Sequence, residues 1–399
     1  MNRISMLYFP ACRLTCFGSE SWANAIQPLS FIVSTHLARS STMFSDKRIT
    51  NLFGVDLPLI QAPMAGAQGS AMAIAVSRAG GLGSLPCAML SPDKMRAEMG
   101  VIRQQTQNPV SMNFFCHVPV LNDPDGQARW RGRLRDYYIE HGLDPDAEAA
   151  AVDRAPFDEV ACEIVEDVKP EVVSFHFGLP DSGLLARVKA IGTRVISSAT
   201  TSSEARWLAE RGVDAIIAQG AEAGGHRGIF LGDDISRQPG TLALVPQVVD
   251  AVKVPVIAAG GITDARGVAA AFMLGASAVQ VGTAFLFTPE AIISDLHREA
   301  LANASDDGTA LTNIFSGRPA RGLMNRVMRE VGPMSPDAAP FPTAGGALAP
   351  LKKAAEADGK ADFSSLWSGQ AASLGRKMGA GELAVTLMSE AAARLGGSV

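Results

Sequence analysis

The sequence predicts a (β/α)8 TIM barrel on three observations: eight short apolar runs, helical patterns between them, and glycines where those helical patterns stop. The runs lie at 59–64, 81–86, 110–115, 172–177, 194–198, 215–219, 256–259 and 278–285. Strands of a parallel sheet are buried on both faces by their crossover helices, so they read as near-continuous apolar stretches. Helical periodicity is clean at 70–78, 203–210 and 264–274, and Gly80, Gly212 and Gly275 follow these segments as stop signals. Eight alternating units favour a closed barrel over an open sheet, because closure leaves no edge strand to protect.

Around this barrel, assigned to 43–304, the chain carries three further segments. Residues 1–42 hold Arg3, Arg13 and Arg39, several serines and a single acid, Glu20, without periodicity. They are expected to form a poorly ordered N-terminal extension, either a transit-like peptide or the product of a start assigned upstream of Met43. After the third run, an insertion at 118–158 with Trp130, Tyr137 and Tyr138 is expected as a lid or wall on the active-site side. A C-terminal extension over 305–399, with a Pro/Gly/Ala-rich loop at 333–350 and a helix at 381–395, is expected to cover the barrel and its site.

Composition narrows the function. With 399 residues, 47% hydrophobic and 19% charged, the chain can bury one large core. A net charge of −5 provides no basic surplus for a phosphate backbone or an anionic lipid surface, so neither nucleic acid nor membrane is expected as partner. Five cysteines, of which only Cys12 and Cys16 are neighbours, suit neither a disulfide framework nor a zinc site. A reducing, cytoplasmic location follows, with a monomer or homodimer and no metal. No apolar run reaches the ~18–20 residues that span a bilayer.

Catalytic groups of such barrels come from the carboxyl ends of strands, so the strand exits are where unusual chemistry carries weight. The sixth run leads into Gln219-Gly220-Ala221-Glu222-Ala223-Gly224-Gly225-His226, where glycines permit close backbone approach to a ligand and a histidine titrates near neutrality. An isolated Gly-Gly-His is commonly a loop with a surface histidine; its place at a strand exit makes His226 the leading catalytic candidate. Gly260 and Gly261 after the seventh run, with Gln280, Val281, Gly282 and Thr283 at the eighth, read as paired turns that offer amides, backed by a helix amino terminus, to a terminal phosphate. Pro63, Met64 and Ala65 end the first run as a surface for a flat ring, and Asn113 and Gln219 offer amides to its edge. His176, ending the fourth run, and His117 are assigned to the substrate pocket; His36, His141 and His297 are assigned to solvated or structural positions. The absence of a Gly-x-Ser-x-Gly elbow and of a Gly-x-Gly-x-x-Gly first turn weakens serine-hydrolase and dinucleotide-fold readings.

Gln-Ala-Pro-Met-Ala-Gly at 61–66, Asn113, Ser-Phe-His-Phe-Gly at 174–178, the glycine-rich His226 loop, Ala-Gly-Gly-Ile at 259–262 and Gln-Val-Gly-Thr-Ala-Phe at 280–285 together resemble the bacterial nitronate monooxygenases. Ser316-Gly317-Arg318-Pro319 and Leu366-Trp367-Ser368-Gly369-Gln370 extend the resemblance into the tail. Phe341 departs from it, standing where a tyrosine is expected; Lys352 or Lys353 is expected near the pocket mouth. The resemblance implies non-covalent FMN, with its phosphate among Gly260, Gly261, Gly282 and Thr283 and its ring near Met64, Asn113, Gln219 and Gly224. It also implies oxidation of an alkyl nitronate, such as propionate 3-nitronate, with O2 to a carbonyl compound and nitrite. His226 would act as base or as electrostatic partner. Two rivals share these motifs: an FMN-dependent enoyl-acyl-carrier-protein or NAD(P)H:quinone reductase, and a flavin-binding protein without turnover. Tyr137 and Tyr138 with the Ser-Phe-His-Phe-Gly strand favour the monooxygenase.

Overall fold

The computed structural model describes residues 44–119, 123–147 and 154–396, so the expectation for 1–42 lies outside the described residues. Eight parallel strands form the centre. They are β1 (Leu59–Gln61), β2 (Gly83–Pro86), β3 (Val110–Phe115), β4 (Val172–His176), β5 (Arg194–Ala199), β6 (Ala215–Gln219), β8 (Val256–Ala259) and β9 (Ala278–Val281). Their order is β1-β9-β8-β6-β5-β4-β3-β2, and the sheet closes where Gln61 N donates to Leu82 O and Leu82 N to Leu59 O, at 3.0 and 2.9 Å. This is the expected barrel. The eighth run is shorter than its apolar stretch, because Thr283–Phe287 turns into a 3-10 helix.

The barrel interior is filled by Ile60, Val172, Ile196, Ile217 and Ile257, and α1 (Arg48–Phe53) inserts Ile49 and Phe53 into the same cluster. This helix plugs the amino-terminal end, so the carboxyl end alone is left for a site. The crossover helices include α2 (Ser70–Arg78), α3 (Pro92–Gln105), α5 (Glu159–Val168), α6 (Ser182–Ala190), α7 (Ser202–Glu210), α8 (Thr241–Ala251) and α9 (Ala265–Met273). Capping is explicit: Ser91, Asp158, Asp181, Thr201 and Asp264 each accept from an amide of the first turn. Gly80, Gly212 and Gly275 adopt φ of 91°, 76° and 92°, the left-handed stop that only glycine takes without penalty.

Two segments beyond this frame shape the site. Helix α4 (Pro124–Glu140), in the insertion, packs on α12 (Ala344–Ala357), in the tail, through Trp130, Leu134, Tyr138, Ala347, Leu348 and Leu351. Trp130 Nε1 donates to Ala344 O at 2.9 Å and Tyr138 Oη to Ala347 O at 2.5 Å. Short strands β7 (Gly225–His226), β10 (Thr309–Thr312) and β11 (Ala320–Leu323) form an antiparallel sheet outside the barrel, followed by α11 (Arg326–Val331); α10 (Asp295–Ala302) precedes β10. The final helix α13 (Ala380–Gly396) lies against α9 and α2. It therefore takes the eighth helical place in the barrel wall, whereas the sequence predicts all of 305–399 to be cover. Among the described residues no helix is long and apolar enough to cross a membrane.

Candidate active site

His226 is fixed by backbone before it is fixed by anything else. Beyond Gln219 the chain loops outward and returns as β7, which pairs with β11 so that His226 faces Ala320. Gln219 spans the loop: its Nε2 donates to His226 O at 2.9 Å and its Oε1 accepts from Gly228 N at 2.7 Å. Arg227, wholly buried, donates to Gln219 O at 2.8 Å and Gly220 O at 2.6 Å, and Arg227 N donates to Pro319 O at 2.9 Å. A buried guanidinium with every direction satisfied acts as a bracket. Gly224 is glycine for a related reason, since a Cβ there would stand 2.5 Å from Gly369 N.

Side chains from five segments then converge on the imidazole. His226 Nε2 lies 2.9 Å from Ser316 Oγ. The rings of Phe341, Trp367, Phe177 and Phe115 surround it at centroid distances of 5.6, 5.6, 5.9 and 6.0 Å. Phe177 reaches this cluster through a left-handed backbone, φ 70°, just past β4; Ser197 Oγ donates to the following Gly178 O at 2.8 Å and so helps hold the turn. His176 Nε2 donates to His226 O at 3.2 Å, since a carbonyl only accepts, and Nδ1 therefore accepts from Ser198 Oγ at 3.0 Å.

Electrostatics keep these histidines neutral. Desolvation, then the charge of Arg154, with Arg318 and any proton taken up by His176 or His117 acting in the same direction, holds His226 well below its ordinary value. Desolvation likewise pushes His176 down to about 4, with Arg318 and Arg227 adding to it against the stabilising His226 carbonyl. Arg318 stacks over Phe177 at 4.0 Å and donates to Ile229 O at 2.7 Å.

A cavity of about 580 Å³ opens over the carboxyl ends of the strands. His226 and His176 line it, as do Pro63, Met64 and Ala65 from the first strand exit. Asn113, Gln219, Gly224, Gly260, Gly261, Gln280, Gly282 and Thr283 line it as well. Val281 does not: its side chain is fully buried and its carbonyl accepts from Ala62 N at 2.8 Å. His117 stands behind the lining, edge-on to Phe341 at 4.9 Å. His297, assigned to a solvated or structural position, is buried with its Nε2 donating to Trp367 O at 3.1 Å, and it also lines the cavity; desolvation lowers it to about 4. Lys352 rather than Lys353 lines the mouth, 3.8 Å from Glu356.

The glycine turn at the seventh exit takes left-handed backbone, with φ of 109° at Gly260 and 68° at Gly261, whereas Gly282 at the eighth has φ −116°. The helix behind them does not add its amides freely. Asp264 accepts from Arg266 N and Gly267 N and so occupies the amino terminus of α9. Asn113 Nδ2 is taken by Ser174, at 3.1 Å to O and 2.8 Å to Oγ. Neither Tyr137 nor Tyr138 reaches the cavity; both belong to the packing between α4 and the tail, so they carry no weight in choosing a reaction. Sequence reasoning missed the cavity roles of Arg154, Ser364 and Ser365, and the contact of Ser316 with His226. Of these, Ser316 lies in the 316–319 segment and Arg154 in the 118–158 insertion.

The chain matches the nitronate monooxygenase family model over residues 46–390. It is 41% identical to a nitronate monooxygenase of Pseudomonas aeruginosa over 345 residues, covering 86% of this chain and 98% of that one. A nitronate monooxygenase of Paraburkholderia phytofirmans is 40% identical, with 85% and 93% covered. The solved structure of a nitroalkane oxidase from Streptomyces ansochromogenes aligns with a TM-score of 0.78 at 38% identity, covering 86% of this chain and 98% of that one. With the barrel, the histidine loop and the glycine cradle already in place, these likenesses show that the chain is an oxidoreductase that belongs to the nitronate monooxygenase family.

Proposed function

We propose that this protein oxidises alkyl nitronates, propionate 3-nitronate among them, with O2 to a carbonyl compound and nitrite, using non-covalent FMN. The observation that carries the reading is a His226 held neutral in a cavity that Arg154 also lines, while the other lining cation, Lys352, is paired with Glu356. Such a site suits a substrate that arrives as an anion, its α-proton already lost.

The cavity fits the flavin. Gln280 Oε1 is buried without a partner, the kind of orphan a bound ring or ribityl donor satisfies. Gly260, Gly261, Gly282 and Thr283 would hold the phosphate, and Pro63, Met64, Ala65, Asn113, Gln219 and Gly224 would line the ring. When bound, FMN supplies the one-electron oxidation.

The chain's own residues position and exclude. The Ser316 hydroxyl proton has two acceptors within reach, Arg318 O at 3.2 Å and His226 Nε2 at 2.9 Å, and the imidazole is nearer. Donation to Nε2 would leave the ring proton on Nδ1, the tautomer in which His226 can donate a hydrogen bond to an anion. Taking a proton from a neutral nitroalkane would create an imidazolium against desolvation, Arg154 and Arg318. His226 is thus an electrostatic partner rather than a base. Oxygen uptake at pH 7 should therefore favour a nitronate over its own neutral nitroalkane by ~100-fold or more in kcat/KM, the scale of a lost general base. Comparable rates for the two forms would refute this assignment.

A further inference from the structure

We propose that Arg154 is the anion anchor of the cavity, the guanidinium that receives the charged end of the substrate. Arg154 is the one described residue of the 118–158 insertion that lines the cavity. Its side chain is half-buried, and among the described residues no carboxylate, carbonyl or hydroxyl accepts from it. Its guanidinium carbon stands over the Phe341 ring at 5.9 Å, and that ring lies 5.6 Å from His226.

The other arginines near the site are spoken for. Arg227 donates to Gln219 O, Gly220 O and Gln238 Oε1. Arg318 donates to Ile229 O, and Arg321 to Ala221 O and Thr309 Oγ1. A guanidinium has five donors in a rigid fork, and leaving them desolvated and unmatched is unfavourable unless a ligand completes them. That fork matches the two coplanar oxygens of a nitronate or a carboxylate. The anchor and the histidine thus both stand against the Phe341 ring, and both line the cavity. The position expected to offer a tyrosine hydroxyl is filled by Phe341, so the polar contact to substrate moves from this position to Arg154.

The proposal rests on the cavity being the nitronate site, and the experiment separates the two. Flavin-loaded wild-type protein and the variants Arg154→Gln and Arg154→Lys are titrated with inorganic nitrate, a planar anion, followed by the flavin absorbance. Oxygen uptake with a nitronate is measured in parallel. Arg154→Gln should weaken nitrate binding and raise KM by roughly 10- to 100-fold, the loss expected for a charge-assisted bond, with kcat changed less than about 3-fold. Arg154→Lys should recover part of both. Since Arg154 makes no side-chain hydrogen bond among the described residues, its removal breaks none there, and flavin content and melting midpoint check folding. Equal nitrate affinity in wild type and Arg154→Gln overturns the anchor, as does failure of wild type to bind nitrate. Nitrate binding lost in Arg154→Gln, in a protein that takes up no oxygen with nitronates, upholds the anchor and overturns the functional reading instead.

Discussion

At the scale of single residues, the histidines of the site are neutral by environment, and this has a consequence for stability. His176 and His297 are each held at about 4, against an ordinary value of 6.5. Between those values the unfolded chain binds protons that the folded chain refuses. Stability should therefore fall as pH drops from 6.5 toward 4, by up to about 1.4 kcal/mol per pH unit for each group, and these groups should contribute no slope above 6.5. Guanidinium melts at pH 7, 6 and 5 measure the slope. A flat profile over that range would mean that both histidines titrate normally. His226 adds in the same direction, its lowered value arising first from desolvation and then from Arg154.

At the scale of elements, the active site depends on two segments that a bare barrel lacks. The α4–α12 contact seats the stretch that carries Phe341, and the β7–β11 pairing holds His226 itself. Trp130→Ala should remove a fully buried ring and the donor to Ala344 O, at roughly 3–5 kcal/mol. It should also lower turnover by ~10–100-fold through misplacement of the aromatic wall, although Trp130 does not line the cavity. Thermal melts and oxygen uptake of the one variant check both effects; unchanged turnover would show that the wall is held from elsewhere. Strand exits were legible in the sequence because each apolar run stops at glycine or at a chemically distinct residue, as Gln219 and His226 illustrate. The partners Ser316 and Arg154 were not. Ser316 lies 90 positions from His226 and meets it only after β11 pairs with β7. Arg154 sits among the charged residues of the insertion, where nothing in local spacing separates a cavity cation from a solvated one. The cavity-facing side of His297 was not legible, because its amphipathic helix gives no sign that the inner face meets a cavity.

At the scale of the whole molecule, the barrel is closed by residues from both ends of the described chain. Helix α1 plugs its floor, and α13 completes its wall beside α2 and α9. The periodicity at 381–395 identified α13 as a helix, but its place in the wall follows from a long excursion that no local pattern encodes. Truncation after Gly379 would expose the apolar faces of α2 and α9, which α13 covers with Leu383, Leu387 and Met388. Loss of a contact that size should leave the product aggregated rather than partly active, as gel filtration would report. A soluble, active truncation would contradict the placement of α13. The central claim, that this cavity oxidises nitronates, is tested most directly with an oxygen electrode on protein carrying its own flavin. Addition of propionate 3-nitronate should give immediate oxygen uptake with stoichiometric nitrite, and the His226→Asn variant should lose it while keeping the flavin. No uptake from wild type, together with rapid flavin bleaching on anaerobic mixing with NADPH, would contradict the account and place the chain among pyridine-nucleotide-dependent reductases.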